Sequence, residues 1–475
     1  MENQPIFFTF VTVMKKIKHV DEAINPSVIK PGSIIYTSGN AATPIALLSQ
    51  LAQDLKIENI DLYSVLMLGE SLGPLFSKER CQNLTHRVIF NSYLTREAVN
   101  QGRAKYHPMH LSEVPRHVRH KIKPNVALVS VSGPDHGGNY SLGTTVEGVH
   151  AAITSAKQNR GIVIAEKNLR MPFVLGTTIP GEMIDYLYET DYPLPDSPIS
   201  HPDNTARRIG EVIAALYIHD GTGFEPGSTL QYGIGEVPEA VTDAIISKGV
   251  GDLGIHTELF ADAMIKLIKK GVVTNRWKKG INFAVSSIFL SSSQEGYNWL
   301  HFNSSVQSRP SDYTNSAFTI AEQPKMVTIN SAIGVDLHGN IWADSLEARQ
   351  IYSGVGGQSD FIRGAQYSPG GVAIIALKSV TGHGISKIVD RCPAGITTTA
   401  TPSDAVIIVT ENGAFDPRGL SLGERAVGIA HLAHPDERER LLKVIYDNQA
   451  FHKPQAALKK GVPGFISYEK AIERM

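Results

Sequence analysis

An α/β fold built around two open, largely parallel sheets is what this sequence predicts, and two observations carry the prediction. Short apolar runs, VALVSVS at 126–132, GIVIAE at 161–166 and AVIIVT at 405–410, are near-continuous rather than alternating, as strands covered by helices on both faces must be. Helical patterns lie between them. The chain also echoes itself: PGSIIYTSGNAATPIALLSQL from Pro31 and PGSTLQYGIGEVPEAVTDAI from Pro226 share PGS, a strand-like triplet, a glycine turn and a proline opening an apolar helix. A duplicated α/β half is therefore expected.

In chain order, residues 1–18 read as an N-terminal extension. The apolar run Ile6 to Met14 follows Glu2 where a secretory signal needs positive charge, and Lys15, Lys16 and Lys18 replace a small-residue cleavage site. Residues 19–200 are expected to form the first α/β domain. The proline-rich, polar stretch from Asp191 to Asn204 has the composition of a surface linker, and residues 201–475 are expected to form the second domain.

Two segments of that second domain carry chemistry. In GVGDLGIHTELFADAMIKLIKKG, Asp252 to Thr257 reads as extended, while Leu259, Ala263, Met264, Leu267 and Ile268 recur at helical spacing. Glu258 is then expected in a first helical turn, where the helix dipole would hold its carboxylate ionised for nucleophilic work. A glutamate at such a place also serves simply to complement the dipole. The second segment, SGVGGQSDFIRGAQYSPGG at 353–371, reads as a glycine loop leading into the strand VAIIALKS. Gly354, Gly356 and Gly357 bare main-chain N–H groups that could face an anionic oxygen. The loop is not a P-loop, lacking Gly-Lys-Ser/Thr, nor a dinucleotide fingerprint, since Ser359 stands where the last glycine belongs. A plain turn remains the other reading.

Composition narrows the class. A chain of 475 residues with 42% hydrophobic content can bury two ordinary cores. A net charge of −1 with both signs interspersed gives no reason to expect nucleic acid or an acidic membrane as partner. Cys81 and Cys392 are the only cysteines, which fits a reducing, cytoplasmic setting without structural disulfides. No stretch approaches the roughly 20 apolar residues of a membrane span. His107 and His110 form H-P-M-H, but lack the helical i,i+4 face and a nearby third ligand, so no metal is expected.

Several ordered, widely separated motifs carry a family resemblance. They are AEKNLRMP at 165–172, GIGEVPEAV at 233–241, LGIHTE ending at Glu258, INSAIGVDLHG at 329–339, the SGVGGQSDF-RGA segment and the tail TPSDAVIIVTENGAFDPRGLSLGERA. From about Val20 to the C-terminus the chain resembles the acetyl-CoA hydrolase/transferase family, the class I CoA-transferases. The resemblance is nearest to the butyryl-CoA:acetate and 4-hydroxybutyrate type. It implies two similar halves of the CoA-transferase, NagB/RpiA-like kind, with the active site in the cleft between them. It also implies coenzyme A as a substrate rather than a resident cofactor, a short-chain acyl-CoA and a carboxylic acid as partners, and a homodimer.

On this reading Glu258 carries CoA as a glutamyl thioester between two carboxylates, in ping-pong fashion. The amides of Gly356 and Gly357 would receive a tetrahedral oxyanion. The GIGEV turn, Gly233, Ile234, Gly235, Glu236 and Val237, would hold CoA or a second oxyanion. Asn330, Val355, Gln358 and Lys378 complete the expected CoA contacts, although ordinary turn or surface roles fit these types equally well. His256 is expected either to orient Glu258 or to pack in the core, and Glu113 to pack or line the cleft. Hydrolysis of the acyl-CoA, or CoA binding without catalysis, are the alternative functions.

Overall fold

The computed structural model describes residues 13–347, 350–451 and 461–475. Its first half is an eight-stranded sheet formed by β1 (Lys15–Ile17), β2 (Ile34–Thr37), β3 (Ile60–Val65), β4 (Leu84–Phe90), β5 (Lys105–Tyr106), β6 (Val126–Val131), β7 (Ile162–Asn168) and β8 (Tyr186–Thr190). Their spatial order is β1-β8-β7-β6-β2-β3-β4-β5, and every pairing is parallel. Parallel pairing requires crossovers, and helices α1 (Ile45–Gln53), α2 (Tyr93–Asn100) and α3 (Val149–Gln158) supply several of them. Alternate residues along the strands divide between two cores. Ile35, Val126, Leu128 and Ile164 pack with Leu47, Leu48 and Leu51 of α1, while Tyr36, Ala127, Val129, Val163 and Ala165 pack with Ile153 and Ala156 of α3. Both faces are covered, which is why these strands read as unbroken apolar runs.

The second half repeats the plan. After α4 (Asn204–Tyr217), the strands β9 (Thr229–Tyr232), β10 (Gly254–Ile255), β11 (Met326–Asn330), β12 (Val372–Ala376), β13 (Ile407–Thr410), β14 (Gly413–Phe415) and β15 (Phe465–Ser467) make a seven-stranded sheet in the order β10-β9-β11-β12-β13-β14-β15. It is parallel through β13 and antiparallel at its last two pairings. Helix α5 (Glu236–Lys248) joins α4 on one face, where Val327, Ile329, Ile374, Ala376, Ile407 and Val409 point. On the other face α6 (Gln358–Tyr367), α7 (Leu422–Leu432) and α8 (Pro435–Asp447) cover Met326, Ala373, Ile375, Val406 and Ile408.

The internal echo corresponds to equivalent elements: β2 with α1, and β9 with α5. In each sheet the chain leaves this strand to one side and later returns on its other side, so β2 and β9 are the topological switch strands. The two switch points differ. In the first sheet Ala41 and Ala42 pack into the core that also holds Ile209, Leu230 and Val241 of the second half, and the turn is closed. In the second sheet the turn after β9 opens onto a cleft.

Three expectations need adjustment. Of the expected N-terminal extension, residues 1–12 lie outside the described residues, while Lys15–Ile17 is the parallel edge strand of the first sheet, registered on Tyr186 to Tyr188. The segment 353–371 is not a loop running into a strand, because residues 358–367 form α6; the glycines serve its N-terminal approach. The stretch 191–203 is irregular as its prolines require, yet it is not a free surface linker, since Leu194 is buried and Tyr192 hydrogen-bonds Glu166.

Candidate functional site

Glu258 lies just beyond the carboxyl end of β10, the strand next to the switch strand. The expected helical first turn is not there: Glu258 stands between β10 and the short strand Leu259–Phe260, and the helix Asp262–Lys269 begins later, with Asp262 as its first-turn acid. No helix dipole therefore holds the Glu258 carboxylate. Its backbone is instead clamped. The Glu258 carbonyl accepts hydrogen bonds from the hydroxyls of Ser286 at 2.8 Å and Ser287 at 3.2 Å, and from the amides of Ser287 at 3.3 Å and Ile288 at 3.0 Å.

The side chain is held from the opposite direction. Asn315 Nδ2 donates to Glu258 Oε2 at 2.6 Å, and the Gly357 N–H donates to the same carboxyl. Burial pushes the Glu258 carboxyl up to about 7, the two hydrogen bonds pull it down, and the neighbouring Asp360 raises it further. Although its carboxyl is enclosed, Glu258 as a residue is only half-buried. The glycine at 357 is a steric requirement of this contact: a Cβ there would lie 1.8 Å from Glu258 Oε2 and 2.0 Å from Asn315 Nδ2. Gly356 adopts φ +59°, a conformation glycine accepts at little cost.

Both halves of the molecule build this place. Leu111 N–H donates to the Gly356 carbonyl at 3.0 Å, and Ser311 Oγ donates to the Leu111 carbonyl at 2.7 Å. Asp360, in the first turn of α6, accepts from Ser112 N at 3.1 Å and Ser112 Oγ at 2.8 Å; burial lifts its carboxyl to about 6 against the pull of these bonds. The Phe90 ring, at the end of β4, packs where Cβ atoms on Gly354 and Gly356 would fall, at 2.7 and 3.1 Å. His256 is fully buried, donates from Nε2 to the Thr314 carbonyl at 2.8 Å, and is driven by burial down to about 3, so it is a neutral ring. It supports the backbone next to Asn315 rather than touching Glu258.

The other sequence candidates gather at the carboxyl ends of β9, β11 and β12. Residues 233–237, Asn330 and Lys378 line one cleft of about 510 Å³, and Ile234 stands 47% exposed at its rim. This is the switch point of the second sheet, where open α/β sheets bind ligands. The cleft adjoins the Glu258 segment, because Thr257 Oγ1 donates to the Tyr232 carbonyl, one residue before Gly233, at 3.4 Å. Asn330 exchanges amide hydrogen bonds with Gln231 at 3.3 Å. Lys378 is neutralised by Asp203 at 2.8 Å and by a close contact with Glu236, so two of the expected ligand contacts are occupied with one another. Val355 is half-buried beside Gly356, and Gln358 opens α6 with its Nε2 buried and unpartnered; neither lines the cleft at residues 233–237.

Glu113 pairs with Arg116 at 2.8 Å and is partly exposed. The His107 ring lies near Arg87, whereas His110 meets Gly356 through its backbone. Among the described residues no three His, Cys, Asp or Glu side chains converge to hold a metal ion, and no helix is long and apolar enough to cross a membrane. Sequence reasoning missed Asn315, Ser112 and Lys387, the last of which also lines the cleft. Asp360 stood inside a quoted motif, but its type alone gave no sign of its partner.

Comparison with known proteins bears on the family and the fold. Residues 12–195 match the model of the acetyl-CoA hydrolase/transferase N-terminal domain, and residues 293–445 that of the C-terminal domain. The chain is 35% identical over 431 residues to a 4-hydroxybutyrate coenzyme A transferase of Clostridium kluyveri, covering 90% of this chain and 96% of that one. It is 31% identical over 444 residues to a butyryl-CoA:acetate CoA-transferase of Anaerostipes caccae, covering 90% and 95%. Among solved structures, RipA from Yersinia pestis superposes with a TM-score of 0.82 at 30% identity, over 91% of this chain and 97% of that one.

Proposed function

This chain belongs to the acetyl-CoA hydrolase/transferase family and is a CoA-transferase, and from that premise we propose that it moves CoA from a short-chain acyl-CoA to a second carboxylic acid through a glutamyl-CoA thioester on Glu258. One observation carries the proposal. The carboxyl of the half-buried Glu258 is fixed by an asparagine amide and a glycine N–H, and the residue before it, Thr257, hydrogen-bonds the end of the switch strand from which the cleft opens.

Glu258 attacks the thioester carbonyl through a carboxylate oxygen, and the tetrahedral intermediate expels the CoA thiolate to leave an acyl-glutamyl anhydride. The thiolate then attacks the glutamyl carbonyl, forming the enzyme thioester and releasing the first acid. A second carboxylate reverses both steps with its own carbon skeleton. A carboxyl raised to about 7 suits this work, since it is a more basic nucleophile than an ordinary glutamate and is still substantially ionised near neutrality. Once the Glu258 oxygen has moved onto substrate, the Gly357 N–H and Asn315 Nδ2 that held it are free to follow the developing oxyanion. Each such donor is worth about 3 kcal/mol.

The test is incubation with butyryl-CoA and no acceptor, followed by peptide mass mapping. The expected result is the mass of CoA on the peptide carrying Glu258, removed by added acetate with formation of acetyl-CoA. An unmodified peptide with kinetics requiring both substrates before any release would overturn the covalent route. Loss of thioester at a rate independent of added carboxylate would establish hydrolysis in place of transfer.

A further inference from the structure

The cleft at the end of β9, β11 and β12 contains two lysines in opposite electrostatic states. Lys378 is held by Asp203 and Glu236, which raise its affinity for the proton despite burial. Lys387 lines the same cleft without an ion pair or a side-chain hydrogen bond among the described residues. The carboxylate whose charge acts on it, Glu411, is hydrogen-bonded by Ser379, through the amide at 3.0 Å and through the hydroxyl. Burial first and the positive charge of Lys378 second weaken proton binding at Lys387, while the charge of Glu411 works against them. The residue is not a loose surface lysine. Its N–H donates to the Ser379 carbonyl at 2.8 Å and its carbonyl accepts from Val335 at 2.9 Å, at the base of a turn closed by the Val380–Ser386 bridge.

A half-buried ammonium beside a second cation, with no salt bridge of its own and only the more distant charge of Glu411 to offset it, is a cost that an anion entering the cleft would relieve. The rest of the lining fits an extended polar ligand: backbone at Gly233 and Gly235 with open space where side chains would be, and Asn330 with Ser331 opposite. We propose that Lys387, and not the neutralised Lys378, is the cation that receives a phosphate group of CoA in this cleft. The inference rests on the CoA-transferase reading above and assigns the anion-binding charge within it. Lys378 then has a different task, tying the chain at Asp203 to the first turn of α5 and so fixing the shape of the Gly233–Gly235 turn.

Calorimetric titration with CoA and with pantetheine, which lacks every phosphate, separates the possibilities. For Lys387→Met the dissociation constant for CoA should rise about 10- to 100-fold, the loss of one charge-assisted contact. Affinity for pantetheine should stay at the parental value, and Lys387→Arg should recover most of the CoA affinity. Lys387→Gln repeats the measurement with a polar side chain should the methionine variant prove poorly soluble. Parental CoA affinity in both neutral variants would overturn the assignment, as would an equal loss for CoA and pantetheine, which would mark general damage to the cleft. If the parental protein binds neither CoA nor butyryl-CoA, the CoA-transferase reading itself falls, an outcome distinct from the other two.

Discussion

At the scale of single residues, the site depends on the missing side chain of Gly357. A methyl group there would occupy the space of Glu258 Oε2 and Asn315 Nδ2, and the side-chain ends, rather than the backbone, would have to move. Gly357→Ala should therefore fold with a Tm within a few degrees of the parent while its turnover falls by about 10² or more. Calorimetry and steady-state rates on one preparation check both halves. Asn315 offers a complementary test. Its amide favours the charged form of Glu258, so Asn315→Ala should raise the ionisation midpoint of the nucleophile. Because the carboxylate is the active form, kcat/KM for the acyl-CoA should climb with pH through about 7 in the parent, and the climb should move to higher pH in the variant. An unshifted profile would show that Asn315 does not act on the Glu258 charge.

At the scale of elements, α6 does more than cover the sheet. Its amino end brings Gly357 to Glu258, and its first turn brings Asp360 to Ser112, so one helix connects the nucleophile to the other half of the molecule. Asp360 acts on Glu258 as a like charge and is itself faced by His110 and Asn315. Asp360→Asn keeps the shape and removes the charge. The acid limb of kcat/KM should then shift to lower pH, opposite to the effect of Asn315→Ala, since one variant removes repulsion and the other removes support. A shift in the same direction for both would refute the electrostatic coupling.

For the whole molecule, buried carboxyls set part of the pH dependence of stability. Glu147, Glu166 and Glu258 are each pushed up to about 7, chiefly by burial. Between the ordinary glutamate value and 7 the folded chain keeps protons that the unfolded chain releases, so these groups lower stability as pH rises through that window. His86 and His256, driven to about 3, act with the opposite sign below pH 6.5. Glu258→Gln isolates one contribution. Its Tm should match the parent near pH 4 and exceed it by a few degrees at pH 8, where the parent must ionise an enclosed carboxyl. The raised value of about 7, against 4.5 for the free group, corresponds to at most about 3 kcal/mol and to less at a cleft wall. Equal Tm differences at both pH values would show that the carboxyl is not desolvated.

What the sequence by itself determined is what local hydrogen bonding and burial encode. Unbroken apolar runs require strands covered on both faces, and strands Val126–Val131, Ile162–Asn168 and Ile407–Thr410 lie on the three runs, the last beginning only after a left-handed turn at Ala405. The repeated strand–turn–proline pattern marked both switch strands, and the ordered motifs named the family and residues 233–237, Asn330 and Lys378 of the cleft, but not Lys387. Tertiary structure alone decided the charge state of those residues. Helical spacing after Leu259 made Glu258 look like a first-turn acid, but its surroundings come from Asn315, 57 residues away, and from the start of α6, where the helix was read as a loop. Likewise, nothing local separates Lys378 from Lys387; a pair of carboxylates brought from Asp203 and Glu236 neutralises one, while the other has no salt bridge among the described residues. Local pattern fixes which face of an element is buried. Electrostatic function depends on which distant groups share that burial, and packing of the complete chain settles it.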